Sequence, residues 1–164
     1  MERTVEKVLP GYTAEQLFAV AVDVERYPTF LPNCVAARVL RDDGDRQLVD
    51  NLFRIGPFRT RFTTRTQFVP PRSIDTWAVD GPVRDLRFAW RFQPVDGGCR
   101  ATFTIGLGVI GAGLGALPAG RFVRRLMDDT EARILTAFQE RVAELYSPGL
   151  GTGDSAIPSS SVDK

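Results

Sequence analysis

The chain has 164 residues, of which 43% are hydrophobic and 25% charged, with a formal net charge of +1. That length predicts one domain able to bury a core without a metal or disulfide staple, and so balanced a charge argues against a partner held by bulk electrostatics. Histidine is absent, which removes Ser-His-Asp and Cys-His nucleophile systems and disfavours most zinc sites.

Glu2 to Leu9 alternates as a strand and is ended by Pro10-Gly11. Thr13, with Gln16 three residues on, makes a capping box before a short helix whose apolar side is Leu17, Phe18, Val20 and Ala21. Asp23 is placed to cap a second short turn from Val24 to Tyr27. Pro28 and Pro32 then break the chain around Phe30 and Leu31, which look exposed. Residues 35–42 and 46–55 predict a hairpin about Asp43-Gly44.

Residues 58–69 alternate cleanly, with Phe58, Thr60, Phe62, Thr64, Thr66 and Phe68 on one face and Arg59, Arg61, Thr63, Arg65 and Gln67 on the other. A short strand from Ser73 to Val79 carries Trp77. Leu86, Phe88, Trp90 and Phe92 face inward on the next strand. The turn Asp96-Gly97-Gly98 leads into a last one, with Cys99, Ala101, Phe103, Ile105 and Leu107 alternating. Cys34 and Cys99 have no paired spacing and are expected as reduced thiols.

From Pro118 to Tyr146 the period changes. Phe122, Leu126, Thr130, Ile134, Phe138 and Val142 recur every four residues, and Val123, Met127, Leu135 and Leu145 widen the stripe of one long amphipathic helix. Its natural partner is the apolar face of an antiparallel sheet. The expected architecture is α+β, a curved sheet of about seven strands around a long C-terminal helix, with two short helices after the first strand. Residues 1–147 form the domain, and 148–164, rich in Ser, Gly and Pro, form a disordered tail. No apolar run reaches the ~20 residues of a membrane span, and Met1 to Lys7 has no signal-peptide core. A cytoplasmic location, or a peripheral one at the inner membrane, is expected.

Local motifs carry a family resemblance. Tyr12-Thr-Ala-Glu-Gln-Leu-Phe18, Val22-Asp-Val-Glu-Arg-Tyr-Pro28, Phe30-Leu-Pro32 and Cys34 resemble the coenzyme Q-binding START-domain family, which includes ribosome association toxins and proteins labelled oligoketide cyclases. Asp80-Gly-Pro82, Leu86, Trp90-Arg-Phe92, Ala137-Phe138, Arg141 and Leu145-Tyr146 continue the match, over about residues 3–146. The chain departs from the family at Asn33, where a Trp is usual, at Val83, where a Phe is usual, and in the glycine-rich stretch 106–115. The resemblance implies the helix-grip fold of the START-like superfamily. It also implies a hydrophobic ligand, ubiquinone foremost, in the cleft between sheet and helix, carried in support of respiration or quinone synthesis without a catalytic cofactor. Two other functions come with it, polyketide cyclisation and inhibition of translation at the large ribosomal subunit.

Trp77, Trp90, Phe103, Leu107, Phe122, Leu126 and Met127 are expected to line the cleft. Tyr27, Phe30, Leu31 and Asn33 flank its mouth, as does Cys34. An apolar cleft of this kind binds by burial alone at ~25 cal/mol per Å2, while quinone carbonyls need donors. Gly106-Leu-Gly-Val-Ile-Gly111 has the spacing of a dinucleotide fingerprint, but no second parallel strand follows to carry the acidic residue, so a gating loop is the better reading. For acid–base work Glu25, Asp50, Arg54 and Asp75 show no diagnostic pairing, so a binding protein is expected rather than an enzyme. Between residues 46 and 105 ten arginines face five aspartates, an excess of ten minus five, or five positive charges. Arg59, Arg61, Arg65, Arg87, Arg91 and Arg100 alternate outward. An anionic membrane surface or ribosomal RNA is the partner such a face would take, and DNA is not expected.

Overall fold

Each predicted alternation becomes one strand of a single sheet. The structure, a computed structural model, describes residues 2–55, 57–81, 85–107 and 130–146, and leaves the side chains of Ile55 and Leu107 undescribed. The strands are β1 (Glu2–Pro10), β2 (Cys34–Asp42), β3 (Arg46–Ile55), β4 (Phe58–Val69), β5 (Ser73–Asp80), β6 (Leu86–Val95) and β7 (Gly98–Leu107). All neighbours pair antiparallel, in the order β1-β7-β6-β5-β4-β3-β2. Consecutive strands from β2 to β7 are joined by short turns, and only β1 reaches across the chain to close on β7.

Turn chemistry sets these joints. Gly44 sits at φ 94°, a backbone region that a side chain disfavours, and its N–H donates to Asp42 Oδ1 at 2.9 Å. At Gly98 a Cβ would stand 2.4 Å from the Leu9 carbonyl oxygen, so β1 can approach β7 there only against glycine.

Helix α1 (Ala14–Val22) opens with both halves of the expected capping box. Thr13 Oγ1 accepts from the Gln16 N–H at 3.2 Å, and the Thr13 N–H donates to Gln16 Oε1 at 3.0 Å. The second turn is a 3-10 helix, Val24–Thr29. Asp23 does not cap it through its side chain. Backbone bonds hold it instead, from the Arg26 N–H to the Asp23 carbonyl and from the Phe30 N–H to the Tyr27 carbonyl.

Helix α2 (Thr130–Leu145) falls within the span predicted for the long helix, whose expected start at Pro118 lies outside the described residues, as does the tail from 148. Leu135, Phe138 and Val142 are buried on it as the spacing predicts, with Ile134 half-buried. Leu145 departs from its predicted place on the stripe and is 49% exposed. Phe138 packs its ring 4.5 Å from Trp90 of β6, and Trp90 lies 4.7 Å from Phe103 of β7. α1 lies on the same side of the sheet, burying Leu17, Val20 and Ala21 and setting Phe18 edge-on to Phe68. One side of the sheet thus grips both helices, which is the expected helix-grip arrangement, and the other faces solvent.

Candidate functional site

The gripped face is not completely filled. Between β3–β7, the end of α1, the 3-10 helix and α2 lies a cavity of ≈ 80 Å3. Strand parity decides what points into it. Val49, Asn51 and Phe53 come from β3, Phe62, Thr64 and Thr66 from β4, Ile74 and Thr76 from β5, Phe88 and Trp90 from β6, and Phe103 from β7. Ala21, Val22, Val24, Tyr27, Leu31 and Pro32, with Ile134 of α2, complete the wall. No Asp, Glu, Lys or Arg lies among these lining residues.

The few polar groups have defined roles. Asn51 Nδ2 donates to the Val49 and Phe62 carbonyls, at 3.1 and 3.3 Å, and to Thr64 Oγ1 at 3.0 Å. Two carbonyl acceptors fix the amide's orientation, leaving Asn51 Oδ1 without a partner among the described residues. Thr66 and Thr76 share a hydrogen bond of 3.0 Å between their hydroxyls. Only one of those two hydroxyl protons is engaged, and Thr64 acts as acceptor toward Asn51, so the threonines retain protons to offer a ligand. The Tyr27 hydroxyl donates to the Ala21 carbonyl. Burial pushes its pKa above the ordinary phenol range, with the neighbouring Cys34 and Asp23 adding to the rise, so Tyr27 stays protonated.

Of the residues expected at this site, the structure brings Tyr27, Leu31, Trp90 and Phe103 to the cavity wall. Phe30 is half-buried rather than exposed. It stands edge-on to Tyr27 at 5.6 Å with the Arg141 guanidinium 5.7 Å from its ring centre, beside the cavity rather than on its wall. Leu31 too is half-buried. Asn33 does not line the cavity. It occupies the left-handed region at φ 67° and its carbonyl accepts from the Arg54 N–H, so it makes the bend into β2.

Trp77 is a clear departure from expectation. Ile74 and Ala78 are the inward, buried residues of β5, and Trp77, at odd spacing from Ile74, points to the opposite face. Leu107 ends β7 with its side chain undescribed, while Phe122, Leu126 and Met127 lie outside the described residues, as does most of the 106–117 loop. The acid–base candidates Asp50, Asp75, Glu25 and Arg54 are all absent from the cavity wall. Cys34 and Cys99 are both free and buried.

Sequence reasoning missed Asn51, Thr64, Thr66 and Thr76 as site residues. The parity of β4 already placed Thr64 and Thr66 inward, and a polar Asn between the inward Val49 and Phe53 was a signal in its own right.

The solvent face carries the expected arginines, but acids on the same face engage several of them. Arg61 makes two hydrogen bonds to Asp50, at 2.9 and 2.5 Å, holding that carboxyl below its usual range. Arg91 pairs with Asp75 at 2.7 Å and Arg100 with Glu6 at 3.2 Å. Exposed pairs of this kind contribute little to stability. Arg59, Arg65 and Arg87 form no ion pair among the described residues.

A family model described as polyketide cyclase / dehydrase and lipid transport matches residues 10–135. The chain belongs to this family. The Ribosome association toxin RatA of Escherichia coli K12 is 34% identical over 141 residues, covering 85% of either protein. The Coenzyme Q-binding protein COQ10 homolog B of Xenopus laevis is 22% identical over 147 residues, covering 89% of this chain and 59% of that one. The crystal structure of TTHA0849 from Thermus thermophilus superposes with a TM-score of 0.77 at 20% identity, covering 90% of this chain and 100% of that one. The fold is therefore the START-like helix grip. Among the described residues no helix is long and apolar enough to cross a membrane, and no cluster of His, Cys, Asp or Glu is arranged to hold a metal.

Proposed function

We propose that the chain binds a polyprenyl quinone, ubiquinone, in the cavity between sheet and α2, and carries it in support of respiration or quinone synthesis. The observation that carries this reading is the cavity wall itself. It is apolar apart from the amide of Asn51, the Tyr27 phenol and three threonines, and no charged group lines it among the described residues. A quinone carbonyl accepts a hydrogen bond from the hydroxyls of Thr64 and of the Thr66–Thr76 pair, and a quinol hydroxyl donates to Asn51 Oδ1, so the same wall accepts both redox forms. Burial of the ring and first isoprene units supplies the affinity.

An engineered cavity of about 150 Å3 holds one benzene ring, so the ≈ 80 Å3 here must widen on binding. Leu31, Pro32 and Ile134 are only half-buried wall residues, and the chain of the ligand leaves between them. Binding rather than catalysis fits the wall. Its one titratable group, Tyr27, is held protonated and engaged with Ala21, and no general base faces the lumen among the described residues. Cyclisation of a polyketide would need one.

Organic extraction of the purified protein followed by mass spectrometry tests the proposal. Ubiquinone is expected in the extract of the wild-type protein and absent from that of a folded Ile134→Lys variant, in which an ammonium stands at the opening. An extract free of quinone, or quinone retained unchanged by Ile134→Lys, contradicts it. The 34% identity to a ribosome association toxin supports a second activity on the ribosome; salt-sensitive co-sedimentation with the large subunit is its test.

A further inference from the structure

We propose that the solvent face of the sheet binds single-stranded RNA at Trp77, with one base stacked on the indole and neighbouring phosphates held by Arg65 and Arg87. The site lies on the opposite face from the cavity, so it stands independently of quinone binding, and it names a surface through which the ribosomal activity would run.

The strand registers place these residues in one row. Arg65 of β4 is directly opposite Trp77 of β5, Trp77 opposite Arg87 of β6, Arg87 opposite Gly106 of β7, and Gly106 opposite Glu2 of β1. Strands lie about 4.8 Å apart, so the two guanidinium stems flank the indole with about 10 Å between them. Neither arginine has an ion-pair partner among the described residues, unlike Arg61, Arg91 and Arg100 on the same face. Trp77 is half-buried, and its indole has no ring, cation or hydrogen-bond partner there either. A large aromatic that keeps part of its surface open to solvent between two unneutralised arginines has the chemistry of a base-stacking platform with phosphate clamps.

Glycine at position 106 leaves a hollow of ≈ 460 Å3 beside the row, walled by Glu2, Asp75, Trp77 and Arg87 over Thr104 and Gly106. The Glu2 carboxylate and the Asp75 oxygen that Arg91 leaves open decide between partners. They oppose a sheet of anionic headgroups, but they accept hydrogen bonds from an exocyclic base amine or a ribose 2′-hydroxyl, the group that separates RNA from DNA. The row also lacks the cluster of exposed aliphatic side chains that membrane insertion needs.

Fluorescence of the full chain reads the test directly. Of its two tryptophans, Trp90 is 5% exposed and Trp77 faces solvent, so quenching by an added ligand reports Trp77. A ten-nucleotide unstructured RNA, the DNA of the same sequence and phosphatidylserine vesicles are titrated separately. RNA is expected to quench and to bind more tightly than DNA. Because substitution removes the reporting indole, the variants are read by fluorescence anisotropy of the dye-labelled RNA: Trp77→Ala should weaken RNA binding roughly 5- to 150-fold, with Trp77→Phe retaining most of it. Arg65→Gln with Arg87→Gln should lower the slope of log K against log salt by about 1.4. Circular dichroism checks that each variant is folded, and both sites are exposed enough for substitution. RNA affinity untouched by Trp77→Ala and by the paired arginine change overturns the proposal, as does binding of vesicles without RNA. Equal affinity for RNA and DNA removes the role given to the carboxylates.

Discussion

Cys34 shows how burial of one side chain becomes a property of the whole protein. It is 7% exposed, and burial raises its thiol pKa from 9.0 to about 11. The thiolate is thus disfavoured in the folded state relative to the unfolded one. Between those two values the unfolded chain binds fewer protons than the folded one, so stability falls as pH rises through that window and is fully present below pH 9. Tyr27 and Cys99 shift in the same direction and act with the same sign. The expected outcome is a urea midpoint that is flat from about pH 7 to about 8.5 and declines toward about pH 11. Cys34→Ala should make that decline shallower; an unchanged slope would show that Cys34 does not contribute.

The same scale explains what could be read early and what could not. Whether Trp77 faces the helix is a matter of one residue of parity. In Ser73-Ile-Asp-Thr-Trp-Ala-Val-Asp80 the two large apolar residues, Ile74 and Trp77, cannot share a face. The choice is made by pairing of Ile74 with Trp90 and Phe68, not by the size of the indole.

Helix α2 illustrates what the elements contribute. Its grip rests on Phe138, 1% exposed, with ring centres of Trp90 at 4.5 Å and Phe92 at 6.1 Å. Phe138→Ala empties the middle of that contact and is expected to cost about 3–5 kcal/mol. Thr13→Ala removes only one half of the capping box of α1 and should cost about 1 kcal/mol. Urea unfolding of the two variants measures both. Near-equal losses would mean that α2 is not the element that consolidates the core.

Strands and turns were legible because their signals are local. Asp43-Gly44 and Asp96-Gly97 mark hairpins, and the Phe58–Val69 alternation fixes two faces without reference to any other strand. The cavity was only half legible, since Asn51, Thr64 and Thr76 meet through registers between β3, β4 and β5. Its apolar half was named from residue type alone, and Asn33 was misplaced because a left-handed bend turns it away from the lumen.

The molecule presents two faces with unlike chemistry. A ligand that binds the folded chain alone raises its stability by RT ln(1 + [L]/Kd), about 2.7 kcal/mol at a hundredfold excess over Kd. For a chain of this size that is roughly 5–11 °C in Tm. A short-chain, water-soluble ubiquinone should therefore raise the midpoint of a thermal melt, with the rise growing logarithmically beyond saturation. The Arg65→Gln, Arg87→Gln protein should show the same rise, because those side chains lie on the far side of the sheet and couple weakly to the cavity. A rise lost in the arginine variant would show that the two faces communicate.

The closure of β1 onto β7 has a further consequence, for the order in which the chain is made. Glu2 pairs with Gly106 and Pro10 with Gly98, so the first strand to be synthesised is among the last to find its partner. At translation speeds of about 5–20 residues per second, β1 waits on the order of 5–20 s after its own synthesis before β7 is made. During that interval α1 has no finished sheet to cover, and its Leu17, Val20 and Ala21 stand in water. Nascent chains of this fold are therefore candidates for chaperone capture until residue 107 has emerged, and contacts of such long sequence separation make the final docking step slow.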